Sequence, residues 1–140
     1  MADDIYPSFK EYMADGSIDM DGDTFNIILL DNSHSFNAAH TLLSDVIANE
    51  ITNVSGTGYT ANGEAMSTTW VRAGDVLTFD ATDVAWTAST FSAYYAVIYD
   101  DTPSDPLNPL VCQIDFGGAQ TVTAGTFTVQ FNASGILTLT

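Results

Sequence analysis

Apolar positions along the chain follow two rhythms. Over Tyr6–Asp15 they recur at helical spacing, with Phe9, Tyr12 and Met13 at i, i+3 and i+4. Ser8 with Glu11 three residues on has the form of a capping box, and Gly16 is a stop signal. A short N-terminal helix is predicted, within a helical segment 1–16 that is a candidate for docking on a partner. The stretch Phe36–Ile51 carries a second helical rhythm, with Leu42, Leu43, Val46, Ile47 and Ile51 on one face and Ser44 and Asp45 as local caps. The loop Asn53–Gly58 follows at once, so this stretch predicts one or two short helical turns and not a long helix.

Elsewhere the rhythm is that of strands. Thr24–Leu30 is apolar on both faces at its centre, the pattern of a strand buried on two sides. Glu64–Arg72 and Val76–Asp80 read as strands joined by the turn dipeptide Gly74–Asp75. Val84–Thr87 is a further short strand. In Phe91–Asp100, Ala93, Tyr95, Val97 and Tyr99 alternate with Tyr94, Ala96 and Ile98, again predicting a central strand. The loop Asp100–Pro109 holds three of the four prolines and is an exposed connection. Leu110–Phe116 pairs next, Gly117–Gly118 is expected to turn the chain, and Thr126–Phe131 alternates as a half-buried antiparallel strand. Gly135 breaks it and Ile136–Thr140 is the last strand. The expected fold is mainly β, an antiparallel β-sandwich or jelly-roll-like single domain over residues 1–140.

Charge narrows the partners. Eighteen carboxylates face two cations, Lys10 and Arg72, for a formal net charge of −16. Such a surface repels phosphate backbones and anionic bilayers, so neither nucleic acid nor membrane is an expected partner. No basic and apolar leader opens the sequence and no apolar stretch approaches the roughly 20 residues of a membrane span, so a protein made in a cytoplasm and not secreted by the usual route is expected. The lone Cys112 lies in the apolar run Leu110–Val111–Cys112 and reads as a buried, inert thiol.

Residues for chemistry are few. His34 and His40 have Asp and Ser neighbours, yet no Gly-x-Ser-x-Gly elbow accompanies them. The run Asp19-Met20-Asp21-Gly22-Asp23 gathers oxygen donors, which makes Asp19, Asp21 and Asp23 weak candidates for a calcium site. An EF-hand reading fails, because the glycine falls at the fourth position and Leu30 at the twelfth. One cysteine and two histidines do not make a usual zinc site. Trp70, Trp86, Tyr94, Tyr95 and Tyr99 are candidates for a sugar-stacking face, although strand aromatics more often form core. A chain with no catalytic residues and no cofactor is expected.

The stretches Ser8-Phe9-Lys10, Asp23-Thr24, Ser44-Asp45-Val46, Gly58-Tyr59-Thr60, Phe79-Asp80-Ala81 and Val84-Ala85-Trp86 form a recognisable set, with the strongest at Ala93–Asp101 and Thr123–Phe127 and a further one at Phe131–Ile136. On these stretches the chain as a whole resembles small virion structural proteins of tailed bacteriophages, of the capsid decoration or cement kind. The resemblance implies a place on the virion, the major capsid protein as partner, and a homo-oligomer with a trimer favoured. It carries over no catalytic residue. The alternative it leaves is a tail or head-fibre module binding a receptor or glycan. The apolar side chains of the N-terminal segment, Ile5, Tyr6, Phe9 and Tyr12, are the candidate partner interface, with packing beneath their own sandwich as the competing role.

Overall fold

The computed structural model describes residues 2–140. Its strands, in chain order, are β1 (Asp4–Ile5), β2 (Phe25–Leu30), β3 (Glu64–Ala65), β4 (Thr68–Ala73), β5 (Val76–Ala81), β6 (Val84–Asp100), β7 (Leu110–Val129) and β8 (Leu137–Leu139). They form a five-stranded sheet in the order β1-β7-β6-β2-β3 and a three-stranded sheet in the order β4-β5-β8, every pairing antiparallel. The mainly β, sandwich-like fold expected from the sequence is the one observed.

β2 shows why the large sheet is central. Phe25, Ile27 and Leu29 point into the main core between the sheets, while Ile28 and Leu30 point to the opposite face. All five are fully buried. At about 25 cal/mol per Å² of apolar surface removed from water, each such side chain contributes roughly 1.5–3 kcal/mol. The far face is covered by the irregular segment 31–50, whose Leu43 and Val46 join Tyr6, Val97, Tyr99 and Leu110 in a second core. In that segment two 3₁₀ turns form, Leu43–Asp45 and Ile47–Asn49, as the interrupted helical pattern predicted. The Asp45 carboxylate holds them by accepting the N–H groups of Thr41 and Leu42.

The helix α1 spans Pro7–Ala14. Proline occupies its first turn, where a missing N–H costs nothing. The expected capping box does not form. Tyr6 is the N-cap and makes no side-chain cap, and Ser8 lies inside the helix with its hydroxyl buried and unpartnered. Gly16, at φ 85°, ends the helix as expected.

Three sequence expectations are corrected here. Glu64–Arg72 is two strands in two sheets, since β3 pairs with β2 while β4 pairs with β5. Val84–Thr87 and Phe91–Asp100 are one strand of 17 residues, and β7 runs unbroken for 20 residues. Gly117–Gly118 therefore does not turn the chain. Ala93 pairs with Gln120 and Tyr95 with Asp115, so Phe116–Ala119 bulges out opposite Tyr94. Positive φ at both glycines, 77° and 148°, lets the extra residues loop out and the strand resume.

These bulges keep one face of a long hairpin on the core. Along β6 the core-facing positions are Val84 and Trp86, then Phe91 and Ala93, then Ala96 and Ile98. Each change of parity coincides with a register shift, the first at Ala88 with φ 49°. β7 does the same, moving from Ile114 and Val122 to Phe127 and Val129 across Ala124, at φ 47°. An alternating strand without bulges would turn half of these side chains to solvent.

Candidate functional site

Of the two histidines, His34 holds the fold together. His34 is buried where segment 31–50 meets the large sheet. Its Nε2 lies 2.8 Å from Gln113 Oε1, and Gln113 Nε2 donates to Asp4 Oδ2 at 2.8 Å. Because the Gln113 amide nitrogen faces Asp4, its oxygen accepts, and the His34 proton sits on Nε2. Tyr95 meets the imidazole edge-on at 5.0 Å. Burial lowers the His34 pKa, so the neutral ring is the folded form. The relay ties β1, β7 and segment 31–50 together. His40 lies in the same segment, half-buried, with Nδ1 unpartnered.

The acidic run closes on itself. Asp19 Oδ1 accepts the N–H groups of Asp21 and Gly22, and Asp23 Oδ2 accepts that of Asp19. The three candidate calcium ligands thus form a self-capped turn. Among the described residues no group of three or more His, Cys, Asp or Glu side chains converges as a ligand set. Asp23 meets a different partner, Asp100. Asp100 is fully buried at the end of β6, and its Oδ1 accepts the N–H of Thr102. Burial, followed by the Asp23 contact, raises its pKa far above the usual carboxylate range. Cys112 is buried as expected, its thiol pushed up to about 12 by burial.

The five aromatics proposed as a stacking face do not share one. Trp86 is buried in the main core against Tyr59, Phe91 and Phe127. Tyr95 and Tyr99 belong to the second core on the other side of the sheet. Tyr99 is fixed further by donating to the Asn62 carbonyl and accepting from Asn26 Nδ2.

What the surface does offer is an open groove of about 690 Å³ between α1 and the small sheet. Met13, Ile18, Met20, Trp70, Leu77 and Leu139 line it, with Asp19 and Asp21 in its wall. A neighbouring hollow of about 250 Å³ shares Met13, Trp70 and Leu139 and adds Ile5, Phe9 and Lys10. The candidate interface residues are therefore divided. Tyr6 is fully buried in the second core, and Phe9 is buried in the main core at the floor of the hollow. Ile5 is half-buried at its rim, and Tyr12 is half-buried against the main core outside the hollow, so the N-terminal segment packs chiefly beneath its own sheets. The groove itself was not legible in the sequence, because Trp70 and Leu139 are brought to α1 only by the sheet topology.

No helix among the described residues is long and apolar enough to cross a membrane. No family model, curated protein or solved structure matches the chain.

Proposed function

We propose that this chain is a structural protein that acts through its surfaces, and that its place is the virion of a tailed phage, as a capsid decoration or cement protein binding the major capsid protein. One observation carries the structural part. The groups best suited to chemistry, His34 with Gln113 and Asp4, and Asp100 with Asp23, are occupied in joining segments of the fold. The apolar groove around Trp70, in contrast, stands open. The phage assignment rests on the sequence resemblance, which spans nearly the whole chain. A cement protein works without turnover; many copies on a symmetric shell add modest contacts by avidity. The rim residue Ile5 and the groove residues Trp70 and Leu139 form the apolar surface this role calls for.

The test is the position of the protein on purified particles by cryo-electron microscopy. Copies spread over the shell at local symmetry axes, with particles that break at lower temperature or force when the protein is absent, are the expected result. Copies confined to the tail would overturn the cement reading and favour a receptor- or glycan-binding module.

A further inference from the structure

The distribution of charge singles out one sheet edge. From Phe116 to the final Thr140 the sequence contains no Asp, Glu, Lys, Arg or His, and neither does β6 before Asp100. The rest of the chain therefore carries the whole charge of −16. The outer half of the long hairpin, Val84–Ala93 paired with Gln120–Val129, lies entirely within this neutral part.

That half of the hairpin is also where the large sheet is open. β2 pairs with β6 only from Tyr95 to Asp100, and β1 pairs with β7 only at Cys112 and Gln113. The β6 edge is partly covered, since Thr90 donates its N–H to the Thr57 carbonyl and Gly58 packs on Ala88 and Ser89. The β7 edge has no such cover. From Gly118 to Val129 its backbone bonds only to β6, and no other described residue pairs with its outward N–H and C=O groups. Beside this edge lies a hollow of about 300 Å³ lined by Phe116, Gln120, Phe127, Thr128, Val129 and Gln130, none of them charged.

Other edges are guarded in the ways proteins usually prevent strand pairing. β1 and β3 are two residues long and carry Asp4 and Glu64. β8 has three residues, and β4 carries Arg72. The β7 edge is long and β-branched, from Thr121 and Val122 to Thr128 and Val129, with no charge and no proline and only the bulge around Ala124 to interrupt it.

We propose that the β7 edge, Gly118–Val129, pairs with the same edge of a second copy of this chain, antiparallel across a two-fold axis. The occupant follows from the charge. Two bodies of charge −16 repel wherever acidic surfaces meet, and the neutral ribbon is the face on which two copies approach with least repulsion. Pairing satisfies the outward backbone groups of both strands and seats an uncharged partner side chain in the hollow over Phe116 and Phe127. A two-fold interface uses one patch twice, so it closes on itself and leaves no edge for further growth. The proposal concerns the free protein and does not rest on where it sits on a particle.

The test is mass by light scattering on the full chain, at roughly 0.15 M and 1 M salt, across a wide concentration range. A dimer of the 14.9 kDa chain is expected, tighter at high salt because screening shortens the range of repulsion. Amides of Gly118–Val129 should gain protection from hydrogen exchange as concentration rises. T121E with T123E, both on the exposed outer face, should convert the protein to a folded monomer whose β2 amides stay protected from exchange. T123P, which puts an edge-blocking proline in the ribbon, should act alike. A wild-type chain monomeric throughout, or an oligomer that survives T121E/T123E without protection on β7, overturns the proposal.

Discussion

Asp100 buries a carboxyl with one backbone donor directed at it. Its Oδ1 accepts from Thr102, but Oδ2 has no donor of its own and the side chain meets Asp23. A proton on Asp100 turns that repulsive contact into a hydrogen bond, with Asp101 adding to the repulsion that favours it. The folded pKa, about 8, stands above the unfolded value of 3.8, so the fold binds a proton that the unfolded chain has released. The stabilisation is full below about pH 4 and is lost as pH rises towards 8. His34 has the opposite slope. Burial lowers its pKa from 6.5, so its contribution is present above that value and is lost on acidification. D100N keeps the acceptor for Thr102 and offers Asp23 a donor without titrating. It should raise Tm by roughly 2–6 °C at pH 8, leave pH 4 almost unchanged, and keep the acid limb that His34 sets. Thermal melts of both proteins from pH 4 to 9 would show this. Equal shifts at both ends of the range would mean that Asp100 is not protonated in the fold.

Glycines divide the elements into joints with room and joints without. Gly63, just before β3 and at φ 78°, packs so closely on β2 that an added Cβ would lie 1.9 Å from the Ile27 carbonyl oxygen. Gly117, in the β7 bulge at φ 77°, has nothing within 4 Å of the same atom. G63A should therefore cost about 3 kcal/mol or more, through lost β2–β3 packing, whereas G117A should cost only about 1 kcal/mol for the left-handed backbone. Urea unfolding of the two variants, followed by tryptophan fluorescence, separates them. The same contrast explains how far the elements could be read in advance. β2 was legible because its apolar run is buried on both faces, and Gly74–Asp75 because a tight turn writes its chemistry in two adjacent residues. Gly117–Gly118 carried an identical local signal for a turn, yet the pairing of Tyr95 with Asp115 and Ala93 with Gln120 holds the chain in one strand. Local backbone freedom permits a turn or a bulge, and only the partner strand decides between them. The Asp23–Asp100 contact and the groove at Trp70 were illegible for a related reason. Each joins residues far apart in sequence, through the register of β2 on β6 and the packing of α1 beside the small sheet.

For the molecule as a whole, the balance of eighteen carboxylates against Lys10 and Arg72 sets how stability responds to salt. Neither cation forms an ion pair among the described residues that could offset the acidic surface; Arg72 donates instead to the Gly74 carbonyl. The folded chain holds its charges closer than the unfolded one, so self-repulsion lowers stability most where screening is weakest. The Debye length falls from about 30 Å at 0.01 M to about 3 Å at 1 M, a span that covers the distances between charges on a domain of this size. Tm should rise by roughly 3–8 °C between these limits, with sodium and potassium chloride giving the same curve. Calcium supplies the contrasting case. With Asp19 and Asp23 already accepting N–H groups of their own turn, calcium at matched ionic strength should add nothing beyond the screening curve. A calcium increment that saturates at low millimolar concentration and disappears in D21N would mean that the turn opens to bind a cation. The salt response would then have two sources, one diffuse over the surface and one local to Asp19–Asp23.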